Sequence, residues 1–303
     1  MSINYRQDAI PNAFLRDLED IEDRVYEEEY AGLHFANGEI IPLNIQNRPG
    51  IRTTTYRTST AVGRFRLIRG YSTALPSIET LFREFTNPVH AWGGKYDISY
   101  QDVEAAKESD FPIEQSYISS VRQAGQQEMN RLMAIGDDSI NMPGLLNHPE
   151  VLRSYVPSPW NATTAASVIQ ASMHDGCTEM VNVTAQVEQP EIMYLPPVQY
   201  NYVATTYSNP SAANEKILTD FIGSSPYIKE VKPLQECKGA GPNGEDVAII
   251  MRRDPTKIKA EIYEDFNFKN MIPQGLGYER PAVFCYGGLK LYRPWSVHLL
   301  IGI

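Results

Sequence analysis

Between residues 112 and 135 apolar side chains return in steps of three and four: Ile118, Val121, Gly125, Met129 and Leu132. Arg122, Gln123, Gln126, Gln127, Asn130 and Arg131 occupy the positions between them. That spacing predicts an amphipathic helix, with Pro112 in a favoured first-turn position and Gly136 as the stop. At 1.5 Å per residue it would span roughly 36 Å, the width of a domain. Shorter helices are predicted over residues 164–182, after Pro196-Pro197, and over 211–222, with Ser211 as cap.

Strand patterns alternate with these helices. Residues 51–70 are rich in Thr, Tyr, Val and Ile, with Phe65 and Leu67 alternating with arginines, and a second extended run covers 87–100. Short apolar strands are expected at 192–195 and 246–251, and the end of the chain reads as two strands joined around Gly287-Gly288. The class is α+β. Residues 46–98 form a long two-stranded excursion with an elaborated tip, and an isolated hairpin is marginal in water. Residues 1–45 read as an arm whose Phe14, Leu15, Leu18, Ile21 and Val25 could line one side of a short helix.

Charge changes this picture more than composition does. The 303 residues carry a net −10, which argues against a general nucleic-acid binder, since phosphate contacts require Lys and Arg in quantity. The distribution is uneven: Asp17, Glu19, Asp20, Glu22, Asp23, Glu27, Glu28 and Glu29 face the single Arg24. Between Ile40 and Ile78 no acid occurs, while Arg48, Arg52, Arg57, Arg64, Arg66 and Arg69 do. Two neighbouring segments are therefore opposite in sign. Tyr56 and Phe65 among the arginines also suit single-stranded nucleic acid, but an acidic segment on the same self-associating chain is the better-matched partner.

No run approaches the roughly 20 apolar residues of a membrane helix, and the first residues lack the succession of a signal peptide, so synthesis in the cytosol and no membrane partner are expected. Cys177, Cys237 and Cys285 are odd in number and far apart, which predicts buried free thiols. Gly239, Gly241 and Gly244 satisfy G-x-G-x-x-G, but Pro242-Asn243-Gly244 and the following strand mark a turn and not a dinucleotide cradle. The five histidines are dispersed, Asp137-Asp138 sits at a helix end, and no nucleophile elbow or Walker lysine is present. No catalytic, metal or cofactor site is expected.

The order of acidic arm, long hairpin, spine helix, glycine-rich loop, mixed αβ region and returning terminal strands resembles the tailed-bacteriophage major capsid family, the Hong Kong 97-like fold. The stretches MAIGDDSINMPGLLNHPEV (133–151), EIMYLPPVQYNYVATTY (191–207), IKEVKPLQECKGAGPNGEDVAIIMRRDP (228–255) and GGLKLYRPWSVHLLIGI (287–303) carry the resemblance. It implies an N-terminal arm (1–45), an extended loop (46–98), a peripheral domain (99–160 and 276–303) and an axial domain (161–275). It further implies pentamers and hexamers in an icosahedral shell around double-stranded DNA, bound non-specifically, with portal, scaffold and possibly decoration proteins as partners. Some members cross-link through a lysine on the extended loop; here Lys95, at the hairpin base, is the sole lysine up to residue 98. A shell held non-covalently, or with a decoration protein, is expected.

The candidate intersubunit contacts are Arg57, Arg64, Arg66 and Arg69 against Asp17, Asp20, Asp23 and Glu27. An encapsulin-like nanocompartment shell and a soluble α/β enzyme are the alternative readings: particles containing DNA would exclude the first, and assembly into rings or shells the second.

Overall fold

The computed structural model describes residues 32–67, 75–101, 113–208 and 215–303. In these residues fourteen strands and four α-helices surround two apolar cores. Strands β1 (Leu43–Ile45), β2 (Thr53–Val62), β3 (Glu79–Pro88) and β4 (His90–Ser99) precede the spine helix α1 (Ile113–Ala134). The two-residue strands β5 (Gly136–Asp137) and β6 (Met142–Pro143) lead to β7 (Leu152–Tyr155), α2 (Ala166–Val183), β8 (Ile192–Leu195), α3 (Pro197–Thr205) and α4 (Ile217–Ser224). Then come β9 (Glu230–Pro233), β10 (Val247–Met251), β11 (Ile258–Phe268), β12 (Ile272–Gln274), β13 (Gly277–Leu291) and β14 (Val297–Ile301).

One sheet has the order β1-β11-β13-β12 with β4 also paired to β13, and the other runs β7-β14-β10-β8-β9. The second sheet lies between the cores. Val247, Ile249 and Met251 enter the core shared with the first sheet, while Ala248 and Ile250 enter the one beneath α2 and α4. This is why VAIIM and the apolar VHLLI run are continuous and do not alternate: a strand covered on both faces has no solvent side. Helix α2 comes close enough that a Cβ on Gly176 would stand 2.8 Å from Leu300 Cδ1.

Helix α1 matches its predicted bounds within a residue. A Cβ on Gly125 would approach the Phe266 ring to 2.4 Å, which explains a glycine on the apolar stripe. Asn130, expected on the polar face, is buried instead. Its Oδ1 accepts from the Phe35 and Ala36 amides (2.9 and 3.2 Å) and its Nδ2 donates to Glu236 (2.7 Å). The amide thus clamps the chain entering the fold, and Phe35, Ile40 and Ile41 are fully buried in the first core. Residues from 32 onward therefore pack as part of the body, with β1 in parallel pairing on β11.

Two other expectations are corrected. Gly287-Gly288 does not join two strands: β13 runs through it, and the chain turns later, at residues 292–296. The pair forms a bulge opposite Glu261, because Ala260 pairs with Leu289 but Ile262 with Tyr286, and Gly288 takes the left-handed φ of +79° that such an insertion requires. Helix α4 starts at Ile217 with Lys216 at its N-cap, so Ser211, outside the described residues, is not its cap. β14 is an inner strand of the second sheet.

The thiols of Cys177, Cys237 and Cys285 are free and buried, and burial raises each above the ordinary thiol range. Residues 239–245 are a turn: Gly241 N donates to Glu245 O (2.8 Å) and Gly244 N to Gly241 O (3.0 Å).

Candidate assembly surface

The expected excursion is present, but its second strand is β3 and not the 87–100 run. Ten consecutive pairs join β2 to β3, from Thr53 opposite Pro88 to Val62 opposite Glu79. β4 instead leaves the hairpin and pairs with β13 along its whole length. The reason lies in the covering available. β4 buries Tyr96 and Ile98 against the body, whereas the ten-residue ribbon, roughly 33 Å long, stays largely exposed beyond its base among the described residues.

Alternation gives the ribbon two faces. Toward the body, Tyr56 stacks on Phe85 (ring centroids 5.2 Å) and meets the edge of Tyr292 at 5.2 Å. Burial first, then the charge of Glu150, pushes the Tyr56 hydroxyl up to about 12. Asn87 Nδ2 donates to Leu289 O (3.0 Å) and Val89 N to Arg52 O (2.7 Å), which pins the root. On the opposite face, the Thr55 and Thr86 hydroxyls are 3.0 Å apart and Arg57 Nε donates to Glu84 at 3.3 Å. Thr58, Arg83 and Phe85 overhang a cleft of about 710 Å³ whose other wall includes Val187, Tyr292 and Trp295.

Past this root the ribbon is bare. Phe65 is 91% exposed, Leu67 81% and Phe82 72%, and Val62, Leu75, Ile78 and Leu81 are each at least half exposed. Apolar side chains this open on one projecting element form a contact surface without its partner. Sequence reasoning marked Phe65 and Leu67 but missed Leu81, Phe82 and Phe85, because residues 79–86 fell between the two expected strands; their β-type run was the available signal.

Of the predicted contact residues, Arg57 finds its carboxylate within its own hairpin. Arg64 and Arg66 are exposed on the segment after β2 and form no ion pair among the described residues. Arg69, Asp17, Asp20, Asp23 and Glu27 lie outside the described residues. Lys95 sits in β4 and not on the ribbon, bonded to Glu279 (2.7 Å) and near Asp97 (3.2 Å), and these carboxylates raise its pKa.

Two buried carboxylates stiffen the body near the root. Glu188 accepts from Arg293 (3.0 Å) and Lys257 beside the cleft. Glu261, fully buried, accepts from Asn44 (3.0 Å), Gln46 (2.6 Å), Lys259 (3.1 Å) and Lys290 (3.3 Å). Burial alone would raise the Glu261 pKa, but the bonds from Asn44 and Lys259 and the Lys290 charge outweigh it and hold it low. No group of three or more His, Cys, Asp or Glu side chains suited to a metal ion occurs among the described residues.

A two-core body that extends an apolar ribbon left exposed among the described residues has the form of a subunit built to pack against another molecule. Comparison with known proteins gives that class its name. The sequence profile of the major capsid protein family matches residues 63–303, and the chain belongs to this family. The structure is similar to the capsid protein of Myoviridae phage XM1, with a TM-score of 0.81 and 18% identity over 95% of this chain and 98% of that one. A native GTA particle capsid matches at TM-score 0.67, 10% identity, 97% and 99% coverage. A virus-like particle from Pyrococcus furiosus matches at 0.51, 10%, 88% and 95%. No curated protein sequence matches the chain significantly. The fold is Hong Kong 97-like, and the protein is a structural subunit of a tailed-phage head shell, located in the virion capsid.

Proposed function

We propose that this subunit closes pentamers and hexamers of an icosahedral head by laying its β2–β3 ribbon on the adjacent copy, and that the shell encloses double-stranded DNA without sequence-specific contacts. The observation that carries this reading is the exposed apolar tip of the ribbon, which its own body leaves uncovered. In the corresponding domain division, the arm precedes residue 32, the extended loop is β2–β3, and the peripheral domain comprises α1 with the first sheet. The axial domain holds the second sheet with α2 to α4, including β14.

Arg64 and Arg66 then face carboxylates of a neighbour, with Asp17, Asp20, Asp23 and Glu27 as candidates; Arg69 joins them on sequence grounds alone. A net charge of −10 keeps the inner wall from adhering to packaged DNA. Lys95, already paired on β4, is poorly placed for a cross-link from the ribbon, which favours a non-covalent or decorated shell. Portal and scaffold proteins are the further partners, and synthesis takes place in the host cytoplasm.

Electron microscopy of the purified protein, expressed with its assembly partners, tests the reading. Rings and closed particles are expected, with DNA inside those taken from infected cells. A stable monomer whose ribbon lies on its own body would overturn it, and particles filled with a protein cargo would assign the shell to a nanocompartment.

A further inference from the structure

The wall of the cleft opposite the ribbon is an apolar platform that belongs to neither core. Val183 at the end of α2, Val187 and Trp295 are 44%, 62% and 54% exposed, and Tyr292 beside them is half-buried. Trp, Tyr and Arg are the residues that most often carry the energy of protein contacts. Here Tyr292, Arg293 and Trp295 lie within four consecutive positions.

The platform is held rigid from behind. Ala185 and Gln186 are consecutive non-glycine residues at left-handed φ values of 50° and 67°, a conformation that persists only where the surroundings enforce it. Gln186 N donates to Val181 O (2.8 Å), while Thr184 Oγ1 donates to Met180 O (2.8 Å) and accepts from Glu188 N (3.2 Å). The buried Glu188 carboxylate then accepts from Arg293 (3.0 Å) and Lys257, and Lys257 O takes the Tyr292 amide (2.8 Å). The turn that presents Val187 and the segment that presents Trp295 are thus fixed to each other through one carboxylate. An exposed surface ordered in advance loses little freedom when a partner covers it.

We propose, on the reading that the ribbon covers an adjacent copy of the chain, that this platform seats the body of that same copy from the other side, with Trp295 as the anchor. Thr58, Arg83 and Phe85 of the ribbon and Val187 and Trp295 of the platform line one cleft, so a copy lying under the ribbon meets both walls. Arg83 is exposed and forms no ion pair among the described residues. A second copy of a chain that carries a net −10 supplies the missing carboxylate. The seated copy offers its own cleft to the next one, a head-to-tail arrangement that closes into rings.

Photo-cross-linking of assembled particles tests this. With Trp295→p-benzoylphenylalanine, irradiation should convert the chain into covalent dimers on a denaturing gel, and mass spectrometry should place the far end of the link within residues 32–303. The same probe in place of Phe82 reads the ribbon separately. Dimers from the Phe82 probe without dimers from the Trp295 probe overturn the seat and leave the ribbon contact standing, whereas dimers from neither probe overturn both. Links from the Trp295 probe to residues 1–31, to a different protein, or only within one chain name another occupant and overturn the proposal. Where the Trp295 variant does not assemble, hydroxyl-radical footprinting of the wild type decides: oxidation of Trp295 should fall several-fold between the free subunit and the particle, and an unchanged rate overturns the seat.

Discussion

Phe65, Leu67 and Phe82 offer the most direct separation of folding from assembly. All three are more than 70% exposed in the single subunit, so replacing them together by Ser removes almost nothing from the folded body. Substitutions at such surfaces usually change stability by less than about 0.5 kcal/mol each. If a neighbouring copy covers them in the shell, each side chain contributes about 1.5–3 kcal/mol of burial, roughly 5–9 kcal/mol for the three. Side-chain ordering and incomplete burial reduce that figure. Even about 3 kcal/mol per contact raises the subunit concentration needed for assembly roughly a hundredfold, and every subunit in a closed shell repeats the loss. Thermal unfolding of the unassembled subunit, measured beside sedimentation of particles across a concentration series, reads both quantities. The triple variant should melt with the wild type yet sediment as small species at concentrations where the wild type forms particles. Normal particles at the wild-type threshold would show that the ribbon tip faces solvent in the shell and that the reasoning from its exposure is wrong.

Four further outcomes follow from the body of the fold. Asn130→Ala removes three hydrogen bonds and leaves the Phe35 and Ala36 amides without their acceptor, so chemical denaturation should show a loss of about 2–4 kcal/mol. Gly136→Ala forces a side chain into a φ of +83° with its Cβ 2.1 Å from Met142 O, and soluble folded subunit should fall sharply while Gly94→Ala, which meets nothing within 4 Å, leaves it unchanged. Glu188→Ala strips the buried carboxylate from Lys257 and Arg293, a change expected to cost about 3–5 kcal/mol by urea unfolding. Burial first, then the Arg153 charge, depress the His148 pKa from 6.5 to about 4. The unfolded chain therefore binds the extra proton first, and stability present above pH 6.5 is lost on acidification toward pH 4, by at most about 3 kcal/mol. Unfolding titrations should show that slope in the wild type and a shallower one in His148→Gln.

The sequence by itself determined those elements whose signal is local. The spine helix follows from the three-and-four spacing between Ile118 and Leu132, β8 and β10 from short apolar runs bounded by turns, and the helix after Pro196 from proline's fixed φ at a helix start. Order along the chain carried the family resemblance, because those elements and their connections recur in sequence even where identity is low.

What the sequence left open are the pairings, which are long-range. Both Glu79–Pro88 and His90–Ser99 have strand composition, and only the presence of β13 as a partner for the second decides which one returns along β2. The glycine pair at 287–288 looks like a turn until Glu261 on β11 is placed opposite it, where an inserted residue is accommodated as a bulge. Asn130 fits a solvent-facing position by helical spacing, and becomes a buried clamp only because residues 34–41 come back across the end of the helix with two amides that need an acceptor. The convergence of Asn44, Glu261 and Lys290 has no sequence signature either. These residues are more than two hundred positions apart at their extremes, and it is the parallel packing of β1 on β11 and the antiparallel packing of β13 that set them around one carboxylate.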